Sequence, residues 1–532
     1  MNRVRTILVL TLGGVIVVCI VAAFLQFWRR DGAPRPLSVP PGDQEIAWFQ
    51  PATSAATWER FVTGAHRAAR ADPRLQVDDS RAFLDETTAV PEVVVVRSDS
   101  TQKLRVRWYK QSSRMTVDNW VKALAQRDPP PLAILGGGSS DRALELARIL
   151  AAQNGWRGEA PLLLLTTATA NTVYLDSNDG DTRCDLMKVY PNRTFRFCFT
   201  NRQMAGAVLD FVWRTPDIRP HGLPVPLLGA IGCAAGGDIL GCIALAAQRE
   251  AAPEIFALEW KDDPYSVDLS EQFRDVLYSE LDQAPWSRYG RVPLQILPVA
   301  SSIGGFLRPN AGEARALETL LDPDPPFMLR SLPRSQMQKS LLILPAVAAP
   351  ARRVLAGLVG ADPTIASTMV AVSGDSISFA NVYRDADLVW DMRLVPVPLV
   401  LFTHQNPVAW DAHDERSKNG RDPFGLYPPN GTDDVLHFAD VVRLLAAAGW
   451  DSASSGIRSL QGSSVELANQ LRCSDPPFFD ADGNRLGGSG ESVVYLRPRN
   501  ATSGRDRAEL EVWSHRDLSG WQFVKRLTQP NR

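Results

Sequence analysis

Glycine and hydroxyl residues follow an apolar run in the stretch LAILGGGSSDRALELARILAAQ, residues 132–153. The glycines at 136–138 have no side chains, so a ligand can approach the backbone closely there. Ser139 and Ser140 add hydroxyl groups at the start of a helical pattern, where free backbone N–H groups attract an anion such as a carboxylate. The same residues also suit a plain strand-to-helix turn with serine caps. The turn therefore either binds a ligand or only connects two elements.

Three motifs with known chemistry do not fit this turn. A P-loop requires a lysine after its glycines, and none follows them here. A dinucleotide-binding turn requires glycine at the position that Asp141 occupies. A nucleophile elbow requires Gly-x-Ser-x-Gly, which GGGSSDR does not contain. The turn thus indicates neither of these nucleotide-binding motifs nor an elbow-type hydrolase.

Small hydroxyl residues also end the next predicted strand, PLLLLTTATA at 161–170. Ligands of doubly wound sheets bind beyond the carboxyl ends of the strands. Thr167 and Thr169 would lie at that edge, beside the glycine turn. They are candidates for ligand contacts, although loop threonines without a function would look the same.

Two patterns contain residues that could bind a metal. One loop holds His404, Asp411, His413 and Asp414, and a second holds Asp480, Asp482, Asn484 and Glu491 at the spacing of a calcium loop. The calcium loop needs glycine where Arg485 stands. We therefore predict a solvated or hinge-proximal loop and a β-turn, with no metal and no cofactor. In an oxidising compartment the pairs Cys184–Cys198 and Cys233–Cys242 could form disulfides, and buried free thiols are the alternative.

An apolar stretch of 21 uncharged residues, Ile7–Phe27, precedes the rest of the chain. As a helix it would span about 30 Å, the thickness of a hydrocarbon core. Because it ends in Phe-Trp-Arg-Arg without a small-residue cleavage site, we predict an uncleaved anchor over 1–30. Arginines on both sides leave its orientation open. A proline-rich linker at 31–44 follows, and the apolar segment at 225–248 is predicted to be buried rather than a second span.

Composition and pattern indicate the fold class of the remainder. The 532 residues are 45% hydrophobic and carry a formal net charge of −2, which gives no broad basic surface for nucleic acid. Continuous apolar strands alternate with amphipathic helices from EIAWF (45–49) onward, and the pattern restarts at 194–199. Such alternation is typical of doubly wound parallel sheets. We therefore expect two similar α/β lobes.

The order of these segments resembles the type I periplasmic-binding fold, in particular ABC-transporter substrate-binding proteins of the branched-chain amino-acid receptor type. The glycine turn with its helix is similar to that family's first-lobe turn. YPNRTFRFCFTNRQMAGAVLDFV (190–212) resembles the segment that crosses to the second lobe, and EWKDDPYSVDLSEQF (259–273) resembles the start of that lobe. FADVVRLLAAAG (438–449) is similar to the late helix that returns to the first lobe, and PPFFDADGNRLGG (476–488) to the closing turn.

The resemblance implies two doubly wound lobes joined by a hinge. The first lobe would comprise residues 45–200 and be completed by about 405–495, the second would comprise 201–404, and 496–532 would form a C-terminal tail. In the second lobe the resemblance points to Asp263 and Tyr265, and to Asp375 and Ser376. An acidic group there would bind a ligand's ammonium, and a tyrosine would stack or donate a hydrogen bond.

The implied function is a membrane-tethered, extracytoplasmic solute-binding protein that is not an enzyme. Its lobes would close on an amino acid or a related carboxylate, for an ABC permease or a membrane sensor. The ligand-binding candidates are Ser139, Ser140, Thr167, Thr169, Tyr265 and Asp375. Two alternatives stay open. One is a serine hydrolase with a base such as His404 near Ser139 or Ser376, and the other is a degenerate scaffold for protein partners.

Overall fold

The computed structural model describes most of the two expected lobes. Its described residues are 35–84, 86–113, 115–175, 182–222, 252–279, 294–299, 309–321, 338–359, 368–376, 397–405, 433–450, 462–474, 477–486, 492–497, 509–515 and 521–528. Within these ranges no helix is long and apolar enough to cross a membrane. The predicted anchor at 7–27 and the apolar segment at 225–248 lie outside them.

The first sheet has seven strands in the order β2-β3-β4-β1-β5-β6-β9. Its members in chain order are β1 (Gln44–Pro51), β2 (Leu75–Arg81), β3 (Glu92–Arg97), β4 (Lys103–Gln111), β5 (Ala133–Gly136), β6 (Leu162–Leu165) and β9 (Thr194–Arg196). The five strands from β4 to β9 run parallel, and β3 is antiparallel to both of its neighbours. All four leucines of β6 are fully buried, because helices cover both faces of a parallel sheet.

Helices surround this first sheet, and a hairpin extends from its edge. The helices are α1 (Ala55–Ala71), α2 (Val117–Ala125) and α3 (Ser140–Ala152), joined later in the chain by α8 (Asp433–Gly449) and α9 (Ser464–Arg472). The hairpin consists of β7 (Thr172–Leu175) and β8 (Thr182–Asp185). The late helix α8 packs on α1 and contributes Phe438 to a cluster with Trp48 and Phe61. These elements together form the first lobe.

The second sheet has eight strands in the order β11-β10-β12-β13-β14-β15-β16-β17. They are β10 (Ile255–Trp260), β11 (Leu294–Val299), β12 (Ser340–Ile343), β13 (Met369–Val372), β14 (Leu399–Thr403), β15 (Ser492–Arg497), β16 (Glu509–His515) and β17 (Trp521–Thr528). Its described helices are α4 (Asn201–Arg214), α5 (Pro264–Ser279), α6 (Ala311–Leu321) and α7 (Ala348–Val359). These elements form the second lobe.

The two sheets repeat one connection pattern. In each, the first five parallel strands taken in chain order are arranged 2-1-3-4-5. This order places a crevice at the carboxyl end of the sheet between the first and third strands. The expected pair of doubly wound α/β lobes is therefore confirmed by the strand order itself.

The C-terminal region differs from the tail expected at 496–532. β15, β16 and β17 add to β14 as successive antiparallel strands, and Trp513 and Trp521 pack beside Phe211 of α4. Val494 and Leu496 of β15 and Val512 of β16 lie in the core of the second lobe. The described strands after residue 491 therefore belong to the second sheet and not to a separate tail.

The described part of the linker predicted at 31–44 contacts the first lobe. Arg107 Nη1 donates to the carbonyl oxygens of Leu37 (3.2 Å) and Ser38 (3.1 Å), and Arg127 Nη1 donates to that of Leu37 at 2.9 Å. The Leu37 side chain packs on the core of the first lobe. The described part of the linker is thus fixed to this lobe near the start of β1.

Replacing Gly64 with alanine is expected to force α1 and α8 apart. A Cβ at Gly64 would lie 2.8 Å from Phe438 Cβ and 2.9 Å from the Val435 carbonyl oxygen, both closer than van der Waals contact allows. Overpacking of this kind lowers the free energy of unfolding by about 1–3 kcal/mol, measurable by urea denaturation. The matched control is Gly206→Ala in α4, where no atom lies within 4 Å of the added carbon. That change should stabilise the protein by up to about 1 kcal/mol, and equal effects of the two changes would contradict the packing.

Candidate ligand-binding site

The glycine turn lies at the crevice of the first sheet. Gly137 has a φ of +71°, which a glycine adopts without strain, and a Cβ at Gly138 would lie 3.1 Å from Gln50 Nε2. Gln50 is in β1 and the turn follows β5, so these residues border the gap between the first and third parallel strands. Ser139 is the exposed N-cap of α3, with its hydroxyl accepting from Arg142 N at 3.5 Å. The turn therefore caps a helix and also exposes its backbone at the crevice.

The other hydroxyl candidates of the first lobe divide into exposed and buried groups. Thr167 is exposed, and its Oγ1 donates to the Gly137 carbonyl at 3.5 Å, which joins the ends of β5 and β6. Ser140 is buried and its Oγ accepts from Ala170 N at 3.3 Å. Thr169 is also buried, and its carbonyl accepts from Asn201 N at 2.9 Å. Ser140 and Thr169 thus hold the loop, while Ser139 and Thr167 are accessible.

The second lobe brings Tyr265 and Asp375 into direct contact, although 110 residues separate them. Tyr265, in the first turn of α5, donates its hydroxyl to Asp375 Oδ1 at 3.1 Å. Asp263 caps the same helix by accepting from Tyr265 N at 3.1 Å. Gly374 leaves space for the phenol, because a Cβ there would lie 2.5 Å from the Tyr265 oxygen. The sequence SGDS after β13 therefore places a carboxylate against a tyrosine at the carboxyl edge of the sheet.

His404 is the third member of this group. Its Nε2 lies 2.7 Å from Asp375 Oδ2, and its ring stacks on Phe199 with centroids 5.7 Å apart. The Phe199 backbone N–H donates to His404 Nδ1 at 3.2 Å. A nitrogen that accepts a hydrogen bond carries no proton, so the proton of the neutral ring lies on Nε2. His404 is therefore an uncharged donor to Asp375.

The carboxyl group of Asp375 is predominantly ionised. Burial alone raises its pKa, but the adjacent His404 and the hydroxyl of Tyr265 outweigh burial and hold the pKa below its ordinary value. The pKa of Tyr265 is raised well above its usual range by burial and by Asp375, so the phenol keeps its proton. The site thus contains one carboxylate with two neutral hydrogen-bond donors.

A second histidine, His437 of α8, links this group to the first lobe. Its Nε2 donates to the Thr166 carbonyl oxygen at 2.8 Å, just beyond the end of β6, and its ring centroid lies 5.7 Å from that of His404. Burial and the neighbouring His404 lower the pKa of His437 to about 3, so it is neutral. His437 was not among the candidate residues predicted from the sequence. The only signal would have been a histidine within the apolar helical pattern of DDVLHFADVV.

The segments that cross between the lobes are connected by hydrogen bonds. The chain passes from β9 to α4, from β14 toward α8, and from the turn at Arg485 to β15. Gln203 Nε2 donates to the Arg485 carbonyl at 2.7 Å, and Arg485 Nη2 lies 2.8 Å from Asp440 Oδ2. Gln405 Nε2 donates to the same Asp440 oxygen at 3.4 Å. With the bond from Phe199 to His404, these contacts join all three crossings into one hinge.

Helix α5 also contacts the first lobe directly. Asp268, buried in this helix, accepts from Asn171 N (3.1 Å), Thr172 N (3.0 Å) and Thr172 Oγ1 (2.7 Å). Arg183 of the β7–β8 hairpin forms an ion pair with Glu271 at 2.5 Å. These contacts hold the loop that follows Thr169 against the second lobe.

The geometry of His404 does not favour the serine-hydrolase alternative. Its Nε2 is bonded to Asp375 and its Nδ1 to Phe199, so neither nitrogen has a free lone pair for Ser139 or Ser376. Within the described ranges, no group of three or more histidine, cysteine or acidic residues could hold a metal ion. Asp411, His413, Asp414 and Glu491 lie outside those ranges.

Two smaller expectations have structural outcomes. The segment at 480–484 is a turn, in which Asp480 accepts from Asn484 N at 2.8 Å and Gly483 has a φ of +86°. Cys184 and Cys198 are free thiols, so the first possible disulfide does not form. Cys233 and Cys242 lie outside the described residues.

Comparison with known proteins gave structural matches only, since no family model matches the chain and no curated protein does. The similar solved structures include ABC transporter substrate-binding proteins. One from Desulfitobacterium hafniense is 13% identical, with 91% of this chain and 100% of that chain covered and a TM-score of 0.43. A solute-binding protein from R. palustris, solved with 4-hydroxybenzoate, is 8% identical over 92% and 98%, with a TM-score of 0.43. A branched chain amino acid ABC transporter protein from Thermus thermophilus, solved with valine, is 11% identical over 91% and 97%, with a TM-score of 0.40.

Proposed function

We propose that the chain is a solute-binding protein that holds a small zwitterionic ligand, an amino acid or a close relative, between its lobes. The observation that carries this proposal is the unbalanced charge of Asp375. Its carboxylate is only 17% exposed and receives hydrogen bonds from Tyr265 and His404, which are both neutral. A poorly solvated carboxylate is stabilised most by a cation in contact with it. A ligand ammonium group supplies that cation.

The first lobe is suited to the opposite end of such a ligand. The start of α3 presents backbone N–H groups, and Gly138 and the exposed Ser139 and Thr167 border them. Helix N-termini favour anions because their N–H groups are unpaired and the helix dipole is positive there. The ligand carboxylate binds at this turn, while Ser140 and Thr169 hold the loop in place. Closure of the hinge brings the two halves of the site onto one molecule.

The location and the partner belong to the same proposal. The apolar stretch 7–27 anchors the chain in a membrane, and the two lobes lie on its extracytoplasmic side. The partner in this proposal is another membrane protein, either an ABC permease that takes up the ligand or a sensor that responds to its binding.

Thermal stability measured across a ligand panel tests the proposal. The full chain in detergent is heated with the standard amino acids, and each is compared with its deaminated acid and its decarboxylated amine, such as L-alanine with propionate and ethylamine. A ligand at about 100 times its Kd stabilises the folded state by about 2.7 kcal/mol, a shift of several degrees for lobes of this size. At least one amino acid should raise the melting temperature more than both of its truncated relatives. No shift with any compound would exclude the proposal and favour the scaffold alternative.

A further inference from the structure

The neutral state of His404 is enforced by a backbone group. The Phe199 N–H points at Nδ1 from 3.2 Å, and Phe199 belongs to the first crossing between the lobes. A second proton on the imidazole has only Nδ1 to occupy, because Nε2 already carries the proton donated to Asp375. Protonation of Nδ1 would therefore place two hydrogen-bond donors, the Phe199 N–H and the new Nδ1–H, opposite each other.

We propose that His404 is a proton-sensitive element of the ligand site, so that acidification releases the ligand by charging His404. This inference rests on the proposed function, since it concerns the same carboxylate. Protonation of His404 has two effects, and both weaken ligand binding. The hydrogen bond from Phe199 to Nδ1 is lost, which loosens the first crossing. The imidazolium also neutralises Asp375, which removes the charge that the ligand ammonium requires.

Proton and ligand thus compete for one carboxylate. When two cations bind a single counter-charge exclusively, each weakens the other by the same factor. In the limit of full competition the affinity falls about tenfold for each pH unit of acidification.

The groups around His404 leave Asp375 as its ionised contact. From α5, Tyr265 reaches Asp375 as a neutral phenol. From α8, the ring of His437 is neutral. From the first crossing, burial raises the pKa of the Cys198 thiol to about 12. Among the other described residues of α8, Asp440 forms ion pairs with Arg485 and Arg443, each at 2.8 Å.

Nuclear magnetic resonance on the full chain, labelled with nitrogen-15, tests the proposed role of His404 without any ligand. At about pH 8 the resonances of His404, assigned by their loss in His404→Gln, should show an unprotonated Nδ1 and a protonated Nε2. On acidification the Phe199 amide should shift with the same midpoint as Nδ1. A proton on Nδ1 at high pH, or a Phe199 amide that does not follow the titration, would overturn the inference.

In a binding experiment, the affinity for L-leucine is measured at about pH 8 and about pH 5.5. Affinity should fall at least tenfold at the lower pH, and His404→Gln should remove most of this dependence. The matched control is His66→Gln, since His66 forms the second described histidine–aspartate pair, 2.9 Å from Asp79, at a partly exposed position away from the hinge. The control should keep the full pH dependence.

The outcomes separate the two proposals. Tight binding of L-leucine with equal affinity at both pH values refutes the proton-sensitive role and leaves the solute-binding function intact. If L-leucine binds at neither pH, the ligand panel decides the function and the magnetic resonance arm alone decides the role of His404.

Discussion

Replacing Arg107 with methionine is expected to lower the free energy of unfolding by about 3–5 kcal/mol, because it leaves buried carboxylates short of a counter-charge. The Arg107 side chain is 4% exposed, and its partners Glu45 and Glu92 are 0% and 3% exposed. The guanidinium lies 2.6 Å from Glu45 and 2.5 Å from Glu92. Burial opposes its charge, but the two carboxylates outweigh burial and raise the pKa of Arg107. Urea denaturation of the full chain measures the loss.

The matched control is Lys122→Met on the surface of α2. Lys122 and Asp118 form a pair at 2.6 Å with side chains 64% and 46% exposed. Such exposed pairs contribute about 0.5 kcal/mol or less. A loss at Arg107 no larger than the loss at Lys122 would show that Arg105 and Arg127 suffice for the two glutamates. Arg107→Lys should fall between the two, because it keeps the charge and loses the paired contacts.

Replacing Asp375 with asparagine is expected to weaken ligand binding about 100-fold, measured by calorimetry with the amino acid that stabilises the chain most. The change removes the anion that is proposed to bind the ligand ammonium, and it keeps the size of the side chain. Loss of one partner of a buried charged contact costs about 2–5 kcal/mol in binding. The melting temperature of the variant without ligand separates this loss from any loss of folding.

Tyr265→Phe provides the comparison for Asp375→Asn. It removes one neutral donor to the carboxylate and leaves the charge in place. Because this hydrogen bond is present with and without ligand and the charge remains, affinity should fall less than about tenfold. If both variants lose the same affinity, the charge of Asp375 is not what the ligand recognises.

The positions of several candidate residues could be predicted because each follows a continuous apolar strand. Ser139 follows β5, Thr167 follows β6 and Asp375 follows β13. Parallel strands bring their carboxyl ends to one edge, so the strand pattern alone places these residues at the carboxyl edges of the two sheets. What the pattern could not show is orientation, and Ser140 and Thr169 turned out to be buried.

The residues that the sequence did not reveal depend on contacts between distant segments. His437 meets Thr166 across 271 residues, because α8 returns to pack on α1. Asp268 looked like an ordinary residue of a helix, because its partners, two backbone N–H groups and two side chains, lie far away in the sequence. The sequences of β16 and β17 suggest strands, but they do not indicate which sheet these strands join. Hydrophobic periodicity predicts helices, strands and the carboxyl edges of sheets, but it does not predict which distant segments pack together.

The attachment of the linker has a mechanical consequence. Tension that enters the chain at residue 35 passes into the first sheet through the bonds of Leu37 and Ser38 to Arg107 and Arg127, and through the pairing of β1 with β4 and β5. All three crossings to the second lobe lie after residue 195, beyond this point of attachment. The hinge therefore lies outside the load path. A pull on the N-terminus would therefore act on the first lobe and leave the three crossings unloaded.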